Sequence, residues 1–205
     1  MKKLLLLIAV AGVAVFVGWK LFSCKQGKTV EEPKDQPLAI SSNSSAFDQS
    51  FSKLMGDYYA ISEALAQWDS AKADVAARAL QQKADSLHFS ELKGDSSIIL
   101  TAQNLATSIS SEIKGFVAET CLLEKRKSFN MLTDEIYNIV RTVRYSGEKI
   151  YYIKCNKAFK DVDEAYWLSN TNKTMNPYLG EKRADTPDTT LPSSEIVDSL
   201  DFAKK

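Results

Sequence analysis

The feature that most constrains this chain is a run of large apolar side chains at Phe47, Phe51, Leu54, Tyr58, Ile61, Leu65 and Trp68, spaced 4, 3, 4, 3, 4, 3. On a helix this spacing gathers every one of them onto a single stripe, and a stripe of that size has to be covered by other helices. Asp69 is placed to cap a second helix over about Ser70 to Leu87, with Ala73, Ala76, Leu80, Ala84 and Leu87 facing inward. His88 to Asp95 reads as a loop broken at Gly94. A third helix starts at Asp95 or Ser96 and carries Ile99, Ala102, Ala106, Ile109 and Ile113, with Gly115 marking a turn or kink. A fourth carries Leu122, Phe129, Leu132, Ile136, Ile139 and Val143 and is stopped by Ser146-Gly147. Four amphipathic helices with short joints predict a mainly α fold, an antiparallel four-helix bundle.

The pattern changes after Gly147. Lys149 to Cys155 is rich in β-branched and aromatic residues and predicts a short strand. Ala165-Tyr166-Trp167-Leu168-Ser169 and Asn176-Pro177-Tyr178-Leu179-Gly180 follow as an aromatic, turn-rich segment expected to pack on one end of the bundle. Asn176 to Gly180 has the composition of a turn, with Pro fixing φ and Gly accepting a positive one.

The flanks suggest location. Lys2 and Lys3 precede an uncharged apolar run from Leu4 to Trp19, and Leu21-Phe22-Ser23-Cys24 follow Lys20. One reading is a lipobox, with cleavage before Cys24 and lipidation of its thiol. The other is a membrane-spanning helix from Leu4 to Ser23, about 30 Å long at the helical rise. Both tether the remainder to a membrane, on its extracytoplasmic face. The expected organisation is an anchor over 1–24, a flexible linker over 25–45, a helical domain over 46–183 and a disordered tail over 184–205, in which Glu195 to Ala203 could form a short helix.

Composition removes several functions. There are 26 Lys plus Arg against 26 Asp plus Glu, which argues against nucleic acid as a partner. One His excludes sites built on several histidines. With neither a Gly-rich phosphate loop nor a nucleophile elbow in the sequence, no enzymatic activity is expected. Cys121 and Cys155 are each expected as a buried thiol or as partners in a disulfide. Met55, Met131 and Met175 are expected in packing or turn roles, and His88 at a helix end or loop. In Lys125-Arg126-Lys127 the lysines read as a solvated face, whereas Arg126 could bind a carboxylate or pair across the bundle. Trp167 and Tyr178 are candidates, with Arg126, for a ligand or partner surface.

Ile150 to Cys155, Ala165 to Ser169 and Asn176 to Gly180, taken with Asp57-Tyr58-Tyr59-Ala60, Asp69 to Ala73 and Leu123-Glu124-Lys125-Arg126, resemble the domain of unknown function 3347 family over about residues 46 to 183. The resemblance implies a bacterial envelope (periplasmic) domain, often anchored at its N-terminus. Such domains occur alone or fused to membrane-fusion subunits of heavy-metal efflux systems, so efflux or other envelope proteins are the implied partners. It implies soft sulfur ligands for Cu(I) or Ag(I), of which Cys155 is the candidate here. This chain departs from that pattern at Asn156-Lys157, where Pro and Met are usual, and at Arg183, where the family carries Met. The resulting expectation is a membrane-tethered accessory binding domain linked to copper or silver handling. The alternative is a structural protein-interaction module that has lost metal binding.

Overall fold

Helix α1, Ser45–Ala66, begins where Ser44 turns its hydroxyl back to accept from the Phe47 N–H at 3.1 Å. The computed structural model describes residues 41, 43–159, 163–173, 175–180 and 194–203, all within the unit Leu38–Lys205. The apolar run 4–24, with Cys24 and the anchor and lipidation expectations that rest on it, lies outside these residues. No helix among the described residues is long and apolar enough to cross a membrane.

The seam holds from Phe47 to Leu65, all six side chains being fully enclosed. Trp68 departs from it. The helix ends at Ala66, and Trp68, 44% exposed, takes a left-handed backbone, φ 63°. The cause is the short connection: Gln67 to Asp69 must reverse the chain so that Asp69 can accept from the Lys72 N–H at 2.8 Å and cap α2, Ser70–Asp85. A 3-10 turn, Phe89–Glu91, leads on to α3, Ser96–Ala118, capped by Asp95, whose carboxylate accepts from the N–H groups of Ser97 and Ile98. Gly115 neither turns nor ends this helix, which continues through it to Ala118. Helix α4, Leu122–Val143, ends at Arg144 in the left-handed region, and Asn43 donates to the freed Val143 carbonyl at 2.6 Å. Each helix packs along the next in sequence.

Among the described residues three antiparallel strands follow the helices: β1 Ile150–Phe159, β2 Asp163–Ser169 and β3 Ser194–Leu200, in the order β2-β1-β3. One strand was expected, followed by a turn-rich segment. The tail expected to be disordered instead supplies β3, with no helix over Glu195 to Ala203. Strand β3 is held by partners far away in sequence. Lys154 of β1 pairs with Glu195 at 2.6 Å, and Tyr137 of α4 donates to Asp198 at 2.6 Å. Tyr137, Tyr152 and Tyr166 stack successively, with ring centres 4.3 and 5.0 Å apart, and join α4 to β1 and β2. Beyond β3, Phe202 is buried and its carbonyl accepts from the Ser41 N–H at 3.1 Å.

Strand β2 lies at the margin of the sheet, and β1 satisfies only one of its two sides. On its free side, the Tyr166 N–H donates to Asn130 Oδ1 at 2.7 Å and the Leu168 N–H to the Tyr58 hydroxyl at 3.0 Å, while the Tyr178 hydroxyl donates to the Tyr166 carbonyl. Side chains of α1, α4 and the 176–180 turn therefore stand in for a missing strand. The buried Tyr58 hydroxyl also lies 2.7 Å from Thr133 Oγ1, and the Tyr58 and Phe129 rings stack beneath it at 5.2 Å.

Tyr58→Phe orphans the buried Leu168 N–H and the Thr133 hydroxyl while keeping the ring. It should lower stability by about 1–3 kcal/mol in urea unfolding. Ending the chain after Gly180 should also lower the unfolding midpoint, since it removes β3; a disordered tail would leave the midpoint unchanged.

Candidate functional site

The residues singled out in the sequence divide into two groups. Cys155, Trp167 and Tyr178 gather about the sheet. Cys155 and Trp167 are fully enclosed, Tyr178 nearly so, and the Trp167 and Tyr178 rings meet edge to face at 6.1 Å. Phe129 and Phe159 complete the cluster around Tyr178. Desolvation holds the phenols of both Tyr58 and Tyr178 well above their usual range, so these hydroxyls stay neutral and serve as hydrogen-bond groups. Trp167 and Tyr178 are thus core rather than contact surface. Alternation along β2 turns Trp167 inward, and the Tyr178 hydroxyl is committed to the strand margin.

Cys155 pairs across β1 and β2 with Ala165 and is a free thiol, as is Cys121. The disulfide alternative is not realised, because Cys155 is enclosed in the sheet while Cys121 is an exposed residue at the start of α4. Cys121 is correspondingly not the small core residue expected. Met55 is buried in α1, whereas Met131 and Met175 are exposed and His88 is an exposed loop residue. Among the described residues no group of three or more His, Cys, Asp or Glu could hold a metal ion.

Arg126 stands apart from that cluster, near the start of α4, where Gln67–Asp69 and Glu119–Cys121 join the helices in pairs. It is 7% exposed. One terminal nitrogen donates to the Leu65 carbonyl at 2.9 Å, and the Trp68 ring covers the guanidinium at 4.8 Å. Its Nε is buried without a hydrogen-bond partner, and no described carboxylate forms an ion pair with it. Desolvation pushes its pKa down to about 10.

Lys125 shows what a compensated neighbour looks like. It is buried, contrary to the solvated face expected, because its ammonium meets Asp74 of α2 at 2.6 Å and the Phe116 carbonyl of α3 at 3.0 Å. Lys127 does lie at the surface, paired with Glu124.

The turn carrying Tyr178 reaches the same place. Asn176 Oδ1 accepts from the N–H groups of Tyr178 and Leu179, and the Gly180 N–H closes the turn on the Asn176 carbonyl at 2.9 Å. Gly180 has φ 71°, and a Cβ there would collide with the Trp68 indole and the Ala66 carbonyl. The glycine is required twice, by backbone and by space.

Residues 54–147 match the family described as protein of unknown function DUF3347. This is the family that the sequence resembles. No curated protein and no solved structure matches the chain. The DUF3347 match runs from Leu54 in α1 past the end of α4. It contains Trp68 and Arg126 and stops short of Cys155, Trp167, Tyr178 and Gly180. Sequence reading found Arg126 through this likeness. It missed Trp68 as a cover because the heptad spacing continues through that position.

Gly180→Ala should cost more than about 1 kcal/mol in urea unfolding, through its positive φ and the displaced indole. The same measurement on Gly56→Ala, in the interior of α1 where an added Cβ meets nothing within 4 Å, should show no comparable loss.

Proposed function

We propose that this chain is a membrane-tethered, extracytoplasmic binding domain, an accessory to a larger envelope assembly, and not a catalyst. The observation that carries the reading is Arg126. A buried cation is costly when only a carbonyl and an aromatic ring compensate it, and a scaffold has no need of one. It lies against Leu65 at the C-terminal end of α1, a helix of 22 residues and about 33 Å in length by its rise. In this reading the helices act as an antiparallel bundle that presents the end carrying Arg126 for binding. The membrane attachment rests on the apolar run before Lys20, and the link to heavy-metal export rests on the resemblance to the family.

A second reading, a structural protein-interaction module without metal function, is favoured for metal specifically by the surroundings of Cys155. Cys155 is fully enclosed, and Met131 and Met175, two candidate thioether donors, are exposed. Copper or silver handling, if linked to this chain, then falls to its partners.

The location is tested on intact spheroplasts with a membrane-impermeant maleimide. Cys121 is exposed and Cys155 is not, so labelling of the folded domain should be lost in Cys121→Ser. Labelling of Cys121 only after lysis would overturn the extracytoplasmic placement.

A further inference from the structure

Two independent features meet at the end of α1. The first is Arg126, a residue only 7% exposed, whose Nε is buried and unpartnered and which has no ion pair among the described residues. The second is Trp68, a bulky residue, 44% exposed, held at φ 63° in a region such side chains rarely occupy, with its ring over Arg126 on one side. The backbone there is held by the C-terminal hydrogen bonds of α1, from the Trp68 N–H to the Leu65 carbonyl at 3.2 Å and from the Asp69 N–H to the Ala64 carbonyl at 2.9 Å, so the left-handed turn belongs to the helix cap. The side chain itself meets the Gly180 backbone and the cation beneath it. A large aromatic that is nearly half exposed and lies on a cation without an ion pair among the described residues has the properties of a cover rather than of core.

We propose that Arg126 and Trp68 form a carboxylate-binding site, in which Trp68 swings aside and the ligand carboxylate takes the hydrogen bond that Nε lacks. This deepens the binding reading and rests on it. The ligand class follows from the donor. A guanidinium offers a planar fork that matches the two coplanar oxygens of a carboxylate, and in a desolvated setting that match is strong. An aromatic or apolar substituent on the carboxylate would lie against the displaced indole. Because one terminal nitrogen already serves the Leu65 carbonyl, the site takes one carboxylate and holds it in one orientation. The closed cover also lowers the apparent affinity, since only the fraction of molecules with Trp68 open can bind.

The test follows the Arg126 Nε–H resonance by nitrogen-15 NMR in the full-length chain in detergent micelles. It is titrated with acetate, benzoate, a short peptide with a free C-terminus, the same peptide amidated, and inorganic phosphate. Acetate and benzoate should shift the resonance saturably, with benzoate acting at the lower concentration. The Trp68 indole Nε1–H resonance, followed in the same titrations, should shift with it and should stop responding in Arg126→Lys, which keeps the charge and loses the fork. Trp68→Gly suits the positive φ and should keep the fold while reducing the acetate midpoint by roughly threefold or more, because the closed fraction no longer competes.

The paired peptides separate the sources of the carboxylate. If the free peptide acts and the amidated one does not, the site takes chain termini. If neither acts while benzoate does, it takes small acids. Phosphate matching the carboxylates would overturn the assigned ligand class, and no saturable shift with any carboxylate would overturn the site. Glu181 follows Gly180 in the chain. A change in the Arg126 resonance in Glu181→Gln without added anion would show an internal partner and equally overturn the proposal. An unchanged midpoint in Trp68→Gly would remove the cover from it. None of these results bears on the Cys121 labelling, so a failed site and a failed placement remain distinguishable.

Discussion

A β-strand that stops pairing on one side leaves N–H and carbonyl groups that must find partners, and in this protein the helices provide them. The free side of β2 is satisfied by Asn130, Tyr58 and Tyr178, from α4, α1 and the turn after β2 respectively. Unpaired, these buried groups would carry the desolvation cost of lost hydrogen bonds. Much else follows from meeting that requirement. Tyr58 must sit where its hydroxyl reaches β2, which fixes the rotation of α1. Its ring then stacks on Phe129, which fixes α4 against α1. Tyr178 must reach the Tyr166 carbonyl, which draws the 176–180 turn down and delivers Gly180 to the end of α1. The small sheet thereby determines how the helix ends around Arg126 are closed.

The two basic residues at the start of α4 show how differently the interior can treat a charge. Lys125 is enclosed with a carboxylate and a carbonyl, so its burial joins α2, α3 and α4. Arg126, one residue later, faces α1 and meets a carbonyl and a ring. A step of one residue turns a side chain by about 100° around a helix. The neighbours thus belong to different environments, and only one of them is neutralised by described residues.

The helical part of the fold was legible because it is local. Seam spacing, capping aspartates at 69 and 95 and inward alanines all act within a few residues of themselves. What the sequence concealed depends on distant partners. Ser194 to Leu200 has mixed polarity and follows two prolines, and it becomes a strand because Lys154 and Tyr137 hold Glu195 and Asp198; strand preference is set largely by such surroundings. Lys125 read as solvated because Asp74 lies 51 positions away. Trp68 read as the last residue of the seam because periodicity alone cannot show that a three-residue connection forces a left-handed turn there. For the candidate site, Arg126 could be singled out from its setting in the family, but the ring covering it and the glycine beside that ring emerge only from the closure of the fold.

The contact between Ser41 and Phe202 brings the two ends of the described part together. A unit built this way occupies a single point on any chain that contains it. It can be spliced into a loop of a host protein without prising the host's flanking segments apart. A mechanical pull applied across its two ends would first load this one hydrogen bond and the Phe202 side chain behind it, before reaching the helices. The end carrying Arg126 lies outside that load path, so its geometry is insulated from whatever the unit is spliced into.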